Sequence, residues 1–208
     1  MVEWDQKNKR NKMFVIGLTG GVACGKSLAS TYLKEKGFAV IDCDELNRRL
    51  QLTHPLVHLI LKENFPLAFD NGKLNRKKLA QLVYQSEEGL SHINHLMLPF
   101  IIKEIQSELC LLEQSKTPVV FIDAPLLFEN GIDKFCQKTI CVYIEEEIFK
   151  ERFLKRPDMT PEIFKKVILA QFSIEEKKKR ADVTILSANK KDFFVSIDLF
   201  LNTLNRIL

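Results

Sequence analysis

The chain alternates between short, predominantly apolar runs and longer segments in which apolar residues recur every three or four positions. The apolar runs lie at residues 13–18, 38–42, 118–125, 139–144 and 183–186. Short apolar runs of this kind are typical of strands that are buried on both faces of a parallel sheet. With helices between them, they predict an α/β fold built on five strands.

Helices are predicted after several of these runs. One spans residues 26–36, and a charged one spans residues 145–156. Another begins at Thr160, which suits an N-cap, has Pro161 in its first turn and continues to the basic run at residues 177–180. We expect that run to be a cationic helix C-terminus, which the helix dipole favours. The last helix is amphipathic and is expected to bury Phe194, Ile197, Leu201 and Leu204.

A segment of different character follows the second run. Residues 45–115 keep helical spacing of apolar positions, with a loop predicted at residues 70–75. We therefore expect a helical insertion inside an α/β core. The predicted parts are a flexible N-terminal extension at residues 1–12, the core at 13–50 and 117–208, and the insertion at 51–116.

The composition is that of an ordinary globular protein. Of 208 residues, 46% are hydrophobic and 28% are charged, which excludes disordered and fibrous classes. A net charge of +4 suits a protein that handles anionic phosphates but is too small to indicate nucleic-acid binding.

The cysteines and the apolar segments indicate a cytoplasmic protein. None of the 5 cysteines forms a C-x-x-C pair, which argues against a disulfide framework or a structural zinc site. The basic residues 7–12 and the apolar run after them resemble a secretory signal, but Thr19 and two glycines interrupt the run too early. No segment reaches the roughly 18 apolar residues that span a bilayer. We expect a monomer or weak oligomer that binds neither membranes nor nucleic acid.

The clearest motif lies between the first strand and the first helix. Residues 20–27 match G-x-x-x-x-G-K-[ST] at every fixed position. In this motif backbone N–H groups cradle a polyphosphate, Lys26 reaches the β- and γ-phosphates, and the Ser27 hydroxyl ligates Mg²⁺. The predicted ATP-binding residues are Gly20, Gly21, Val22, Ala23, Cys24, Gly25, Lys26, Ser27 and Leu28.

Cys24 occupies a variable position of this loop. A helix N-terminus lowers the pKa of a thiol, so one hypothesis is that oxidation of Cys24 blocks ATP binding. The alternative, which we favour, is that Cys24 is a small and inert filler.

Carboxylates stand at the ends of two predicted strands. Asp42 and Asp44 end the second strand, and Asp123 ends the third. Ligands of open α/β sheets bind beyond the carboxyl ends of the strands. Asp44 is our candidate for the base that accepts a hydroxyl proton, while Asp42 and Asp123 are expected to orient Mg²⁺ through water or to hold the acceptor. Arg48, four residues after Asp44, would hold an anionic acceptor group or form a surface ion pair.

Two arginines are candidates for a lid. Arg152 and Arg156 are spaced i, i+4 on the predicted charged helix, so they would project from one face. Small kinases need mobile cations that close over the phosphates, and guanidinium groups fit phosphate oxygens. A solvated helix face with glutamate partners remains an equal alternative.

Taken together, these motifs resemble the dephospho-coenzyme A kinase family from about Met13 to Leu204. The matching blocks are IGLTGG and GKS, VIDCDELNRRL, FDNGKLNRKKLAQLV, VVFIDAPLLFENG, ERFLKR and AQFSIEEKKKRAD. The resemblance implies a three-layer P-loop kinase fold with an acceptor-binding helical insertion and a lid at about residues 150–181. It implies transfer of the ATP γ-phosphate to the ribose 3′-hydroxyl of dephospho-coenzyme A, the last step of coenzyme A synthesis.

The resemblance also assigns residues. Asp44 corresponds to the family's base, and Arg152 and Arg156 correspond to its lid arginines. The acceptor-binding residues it implies are Asp42, Arg48, Arg76, Asp123, Leu126 and Glu129. The chain departs from the family at Ala23-Cys24, where Gly-Ser is usual, at Leu98, where His is frequent, at Asn75, where Asp is usual, and at residues 187–189 near the expected adenine site.

Rival interpretations remain open on the motifs. Residues 189–192 match the N-K-x-D guanine motif of GTP-binding switch proteins, although the D-x-x-G expected after the third strand is missing. We interpret these residues as the polar start of the last helix. A kinase for another small alcohol or nucleotide, or a P-loop protein that serves only for binding, is also compatible with the phosphate loop.

Overall fold

A five-stranded parallel sheet lies at the centre of the fold, in a computed structural model that describes residues 13–84, 87–145, 149 and 161–204. The strands in chain order are β1 (Phe14–Gly20), β2 (Ala39–Asp42), β3 (Phe69–Asp70), β4 (Lys73–Leu74), β5 (Val119–Asp123), β6 (Lys138–Tyr143) and β7 (Val183–Leu186). The order across the sheet is β2-β5-β1-β6-β7, with every pair parallel. The predicted five-stranded parallel sheet is confirmed.

The described helices follow the sequence pattern except for one predicted helix that is divided in two, whereas the predicted extension at residues 1–12 and most of the predicted charged helix at 145–156 lie outside the described residues. They are α1 (Lys26–Glu35), α2 (Cys43–Thr53), α3 (Pro55–Asn64), α4 (Arg76–Val83), α5 (Glu87–Gln114), α6 (Pro161–Leu169), α7 (Ile174–Arg180) and α8 (Lys190–Leu204), with single 3₁₀ turns at Pro66–Ala68 and Ile132–Phe135. Among the helices of the described residues, none has the length and apolar character required to cross a membrane.

The sheet is buried on both faces. Side chains of β5 alternate between them: Phe121 joins a cluster with α1 and α8, whereas Ile122 joins a cluster with α2 and α5. Phe193 and Ile197 of α8 are buried in the first cluster, while Phe194 is partly buried and stacks on Tyr32. The three-layer α/β architecture follows directly from strands that are apolar on both sides.

The insertion has a small core of its own, built from α3, α4 and α5 around residues such as Leu61 and Leu79. The predicted loop at residues 70–75 is in fact the hairpin of β3 and β4. Asn71 and Gly72 have φ of 47° and 77°, the positive values that a type I′ turn requires. The Asn-Gly dipeptide was the sequence signal for this hairpin.

The prediction of one continuous helix from Thr160 to Arg180 is wrong, because α6 ends at Leu169 and α7 begins at Ile174. The Phe172 amide donates to Glu129 Oε1 at 2.7 Å rather than to the preceding helical turn. Ser173 then caps α7, since its hydroxyl accepts from the Glu176 amide at 3.2 Å. The helix is therefore interrupted where the carboxylate of Glu129, distant in sequence, accepts the hydrogen bond of the Phe172 amide.

A fully buried lysine ties this break to the sheet. Lys177 is 0% exposed, and its Nζ donates to the Pro125 carbonyl at 2.6 Å and lies 3.1 Å from Glu129 Oε1. It also donates to Gln171 Oε1 at 3.0 Å, and Thr19 Oγ1 donates to the same Pro125 carbonyl at 3.1 Å. The basic run does end α7 as predicted, but Lys177 is buried. Together with Thr19 of β1 it holds the Pro125 carbonyl, which fixes the loop after β5 against β1.

We expect Lys177→Met to destabilise the fold by about 3–5 kcal/mol, because it leaves the Glu129 carboxylate buried without its cation. Urea unfolding followed by circular dichroism measures this loss. Adding Glu129→Gln should recover much of it, since the remaining charge is then removed as well. Lys179→Met, at an exposed position of the same helix, should stay within about 0.5 kcal/mol of the parent. Equal stability of Lys177→Met and Lys179→Met would refute the role of the buried ion pair.

Candidate active site

The loop between β1 and α1 begins so close to β6 that Gly20, at its start, has no room for a side chain. A Cβ on Gly20 would lie 2.3 Å from the carbonyl oxygen of Val142 and 2.6 Å from Cys24 Sγ. Gly25 has a φ of 95° and forms the N-cap of α1. Glycine is therefore required at both positions, first for close approach to β6 and then for the left-handed backbone.

The N-terminus of α1 offers unsatisfied N–H groups. Within the described residues, no side chain caps it, and its first turn contains no acidic residue. The amides of Leu28 and Ala29 bond back to the Gly25 carbonyl and the Cys24 amide donates to the Gly21 carbonyl at 3.4 Å, whereas no described residue accepts from the amides of Ala23, Gly25 and Ser27. Free N–H groups combine with the positive end of the helix dipole to form an anion site.

Ala23 and Cys24 fill this loop in different ways. Ala23 has a φ of 58°, a left-handed conformation that costs an alanine about 1 kcal/mol relative to glycine. Cys24 is only 2% exposed, and burial raises the pKa of its thiol despite the nearby Lys26 ammonium. The burial of Cys24 and the raised pKa of its thiol both favour the interpretation of Cys24 as an inert filler over that of a reactive thiol.

A cleft of about 630 Å³ connects the phosphate loop to the insertion. Residues 20–27 form one wall, together with Asp44 of α2. The insertion contributes side chains of α5 and of its junction with α4, and the opposite wall comes from the loop after β5 and from α6. The residues on these further walls are Tyr84, Leu90, Asn94, Ile101, Ala124, Pro125, Leu126, Asn130, Ile132, Val167, Ala170 and Gln171.

The floor of the cleft is an ion pair. Lys26 Nζ contacts Asp123 Oδ1, and the Ser30 hydroxyl donates to Asp123 Oδ2. The side chain of Asp123 is 3% exposed, so it supports the cleft from below and does not line it. Burial opposes the charge on Lys26, but attraction and hydrogen bonding from Asp123 outweigh it and raise the pKa of Lys26.

The two carboxylates after β2 have different environments. Asp42, which pairs in register with Asp123, is the N-cap of α2, and its Oδ1 accepts from the amides of Asp44 and Glu45 at 3.0 Å each. Asp44 in contrast lines the cleft, and among the described residues its carboxylate has no hydrogen-bond donor. Water reaches this side chain, but the cleft walls remove enough of its hydration to raise the pKa of Asp44, and the attraction of Lys26 offsets only part of that.

Some of the remaining predicted residues line the cleft, and others lie outside it. Ser27 and Leu126 line it, whereas Leu28 packs against the core. Glu129 lines a neighbouring cavity of about 450 Å³ and is held by Lys177. Arg48 donates from Nη2 to Glu45 Oε1 at 2.6 Å on the surface, a partner different from the Asp44 considered above.

Arg76 does not line the cleft and donates instead to Gln51. Arg152 and Arg156 lie outside the described residues. The cleft also includes side chains that sequence reasoning missed. Asn47 follows Asp44 by one helical turn, a spacing that could have identified it, whereas the buried role of Lys177 had no sequence signal.

The guanine-motif match has a structural explanation. Asn189 Oδ1 accepts from the Asp192 amide at 3.0 Å, and Asn189 Nδ2 donates to Asp192 Oδ2 at 2.7 Å. These residues therefore cap α8, as expected for the polar start of the last helix.

Comparison with known proteins gives one consistent family. The family model described as dephospho-CoA kinase matches residues 14–192. A dephospho-CoA kinase of Fusobacterium nucleatum is 37% identical over 194 residues, which covers 92% of this chain and 99% of that protein. One from Geobacillus kaustophilus is 35% identical over 82% of this chain and 86% of that protein.

Solved structures agree with this assignment. TT1252 from Thermus thermophilus superposes with a TM-score of 0.76 at 30% identity, covering 92% of this chain and 98% of that one. Dephospho-CoA kinase from Campylobacter jejuni gives a TM-score of 0.64 at 25% identity, with the same coverage. Shikimate kinase from Acinetobacter baumannii, at 16% identity and a TM-score of 0.55, shares the fold. The chain belongs to the dephospho-CoA kinase family.

Proposed function

We propose that the chain transfers the γ-phosphate of ATP to the ribose 3′-hydroxyl of dephospho-coenzyme A, with Asp44 as the general base. The observation that carries this proposal is the position of Asp44. It lies in one cleft with the phosphate loop on one side and the insertion on the other. A carboxylate between a donor phosphate and a bound alcohol is the arrangement that phosphoryl transfer to a hydroxyl requires.

The reaction follows from these positions. The N–H groups of residues 20–27 hold the phosphates, and Lys26 neutralises charge that develops on the transferred group. The acceptor oxygen attacks the γ-phosphorus, the bond from that phosphorus to the bridging oxygen breaks, and ADP leaves. Asp44 takes the proton from the attacking hydroxyl. A raised pKa suits a base, because a more basic carboxylate accepts a proton more readily.

We infer that Mg²⁺ accompanies ATP. The described residues contain no group of three or more His, Cys, Asp or Glu side chains arranged to hold a metal. A magnesium ion needs few protein ligands when nucleotide phosphates and water supply the rest. The Ser27 hydroxyl is exposed in the cleft and fits a direct ligand. Bound there, Mg²⁺ would neutralise phosphate charge. Neither Asp42, which caps α2, nor Asp123, whose oxygens contact Lys26 and Ser30, lines the cleft, so the water-mediated roles expected for them are not part of this proposal.

The insertion and the lid take complementary roles in this proposal. Residues 51–116 bind the acceptor, which is supported by the presence of Tyr84, Leu90 and Asn94 on the cleft wall. The lid, expected at about residues 150–181, ends before Phe172 in this proposal, because Phe172 and Lys177 are fixed by Glu129 and Pro125. Arg152 and Arg156 bind phosphate oxygens when it closes. Leu126, which lines the cleft, and Glu129, which lines the neighbouring cavity, shape the acceptor side, whereas Arg48 is engaged with Glu45 on the surface.

We further propose that the protein works in the cytoplasm as a monomer or weak oligomer and without nucleic acid as a partner. All five cysteines are unpaired, which fits a reducing compartment.

The substrate assignment is tested with a panel of acceptors. Purified protein with ATP and Mg²⁺ should release ADP in proportion to added dephospho-coenzyme A, and coupled spectrophotometry measures the release. Adenosine, shikimate and water should support at most a small fraction of that rate, and GTP should replace ATP poorly. Lys26→Ala should lose most of the turnover while its circular dichroism spectrum is kept. Faster turnover with another alcohol than with dephospho-coenzyme A would contradict the assignment.

The role of Asp44 predicts a pH dependence. Below its pKa the carboxyl is protonated and cannot accept a proton, so kcat falls as the pH falls. Because the pKa of Asp44 is raised, this acid limb should lie above the ordinary value for aspartate of about 4. Asp44→Asn should lower kcat by about 10²–10⁴-fold and abolish the limb.

Glu45→Gln is the matched control, since Glu45 is a carboxylate on the exposed side of the same turn. It should keep both the rate and the acid limb. Near-normal turnover in Asp44→Asn would remove Asp44 as the base.

A further inference from the structure

A hydrogen-bond relay beside Asp44 has no role in the reaction described so far. Asn47 lies on α2 one turn after Asp44 and lines the same cleft. Gln51, a further turn along, is buried at 5% exposure. Arg76 Nε donates to Gln51 Oε1 at 3.2 Å, and Gln51 Nε2 donates to Asn47 Oδ1 at 3.2 Å. The relay therefore runs from the surface of the insertion to the wall of the cleft.

The chemistry of Arg76 fixes the direction of every bond in this relay. A guanidinium group only donates, so the oxygen of Gln51 must face Arg76. The amide nitrogen of Gln51 then faces Asn47, and the oxygen of Asn47 must accept from it. Asn47 Nδ2 remains, and no described residue accepts a hydrogen bond from it. The relay thus presents an N–H₂ group, and not a carbonyl, at the cleft wall.

The neighbouring Asp44 gives this group a partner of opposite hydrogen-bonding character. An ionised carboxylate only accepts, whereas the N–H₂ group of Asn47 only donates, and it is this group that remains for the cleft when the oxygen faces Gln51. Side chains three residues apart on a helix lie about 5–6 Å apart at Cβ. Vicinal hydroxyls of a ribose suit such a pair, because one hydroxyl can donate to Asp44 while the adjacent oxygen accepts from Asn47.

We propose that Asn47 is a specificity-determining residue of the acceptor site, and that Gln51 and Arg76 are positioning residues that fix its orientation. Asn47 donates to an oxygen of the acceptor nucleotide, either a ribose hydroxyl or a phosphate oxygen. Arg76 acts on the acceptor through Gln51 and without direct contact. This inference rests on the proposed function, since the ligand of the relay is the acceptor of that reaction.

Two substitutions test the donor and its orientation separately. Asn47→Ala removes the N–H₂ group. Gln51→Glu keeps the contact with Arg76 as an ion pair but presents acceptors only, so Asn47 must turn its nitrogen inward and its oxygen toward the cleft. Lys77→Met, on the exposed face of α4 next to Arg76, is the control that removes a cation outside the relay.

Titration calorimetry with dephospho-coenzyme A in the presence of a non-hydrolysable ATP analogue gives the acceptor Kd without turnover. Asn47→Ala and Gln51→Glu should each weaken acceptor binding about tenfold, the effect of one lost hydrogen bond. The double variant should be no weaker than either single one. Affinity for the ATP analogue and kcat at saturating acceptor should change less than about threefold. Lys77→Met should match the parent throughout.

The source of the accepting oxygen is resolved with 2′-deoxy dephospho-coenzyme A. If the ribose 2′-hydroxyl accepts from Asn47, the deoxy compound binds the parent more weakly and binds Asn47→Ala with no further loss. If a phosphate oxygen accepts, the penalty of Asn47→Ala persists unchanged with the deoxy compound. Parent-like acceptor affinity in Asn47→Ala, or in Gln51→Glu with Asn47 intact, overturns the relay. Failure of the parent protein to turn over dephospho-coenzyme A refutes the proposed function instead, and the calorimetric comparison still reports on the relay.

Discussion

The charge of a carboxylate buried at the end of β5, next to the central strand β1, is the constraint on which the site depends. Asp123 has almost no contact with water, so its charge must be compensated within the protein. Lys26 and Ser30 supply that compensation, one to each carboxylate oxygen. Both residues belong to α1, so the first turns of that helix are fixed against the end of β5. The loop from Gly20 to Gly25 has to connect β1 to this fixed helix, which places its N–H groups around the anion site.

The charges of Asp123 and Lys26 also act on the pKa of Asp44. Asp42 lies beside Asp123 in the sheet and uses its carboxylate to cap α2, so α2 begins immediately and carries Asp44 into its first turn. The carboxylates of Asp42, Asp44 and Asp123 thus lie near a single ammonium group, that of Lys26. Burial is the main cause of the raised pKa of Asp44, Lys26 opposes it, and the charges of Asp42 and Asp123 add to the rise. The raised pKa of this carboxylate beside the phosphate loop results from these unequal contributions.

Much of this could be predicted from sequence because the signals were local. Strand ends, the glycine spacing of the phosphate loop and the carboxylates after β2 and β5 all lie within a few residues of the elements that position them. The break between α6 and α7 was not predictable in this way, because its cause is a hydrogen bond from Phe172 to Glu129 across the fold. Lys177 illustrates the same limit. Its neighbours Lys178 and Lys179 are partly buried and exposed respectively, and only the tertiary position of Glu129 and Pro125 makes the full burial of Lys177 possible.

The insertion side of the cleft depends on a different constraint, the continuity of α5. Ile105 and Leu109 pack beneath the sheet, whereas Met97 packs in the core of the insertion, and one uninterrupted helix joins the two clusters. The distance from the phosphate loop to Leu90 and Asn94 is therefore set by helix geometry and not by a flexible linker. A second connection closes the insertion onto α6, where Lys166 Nζ donates to the Tyr84 carbonyl at 2.6 Å. Both walls of the cleft are thus positioned by the fold itself. In the function proposed above, binding energy from the remote part of the acceptor then serves to align its hydroxyl with the phosphate.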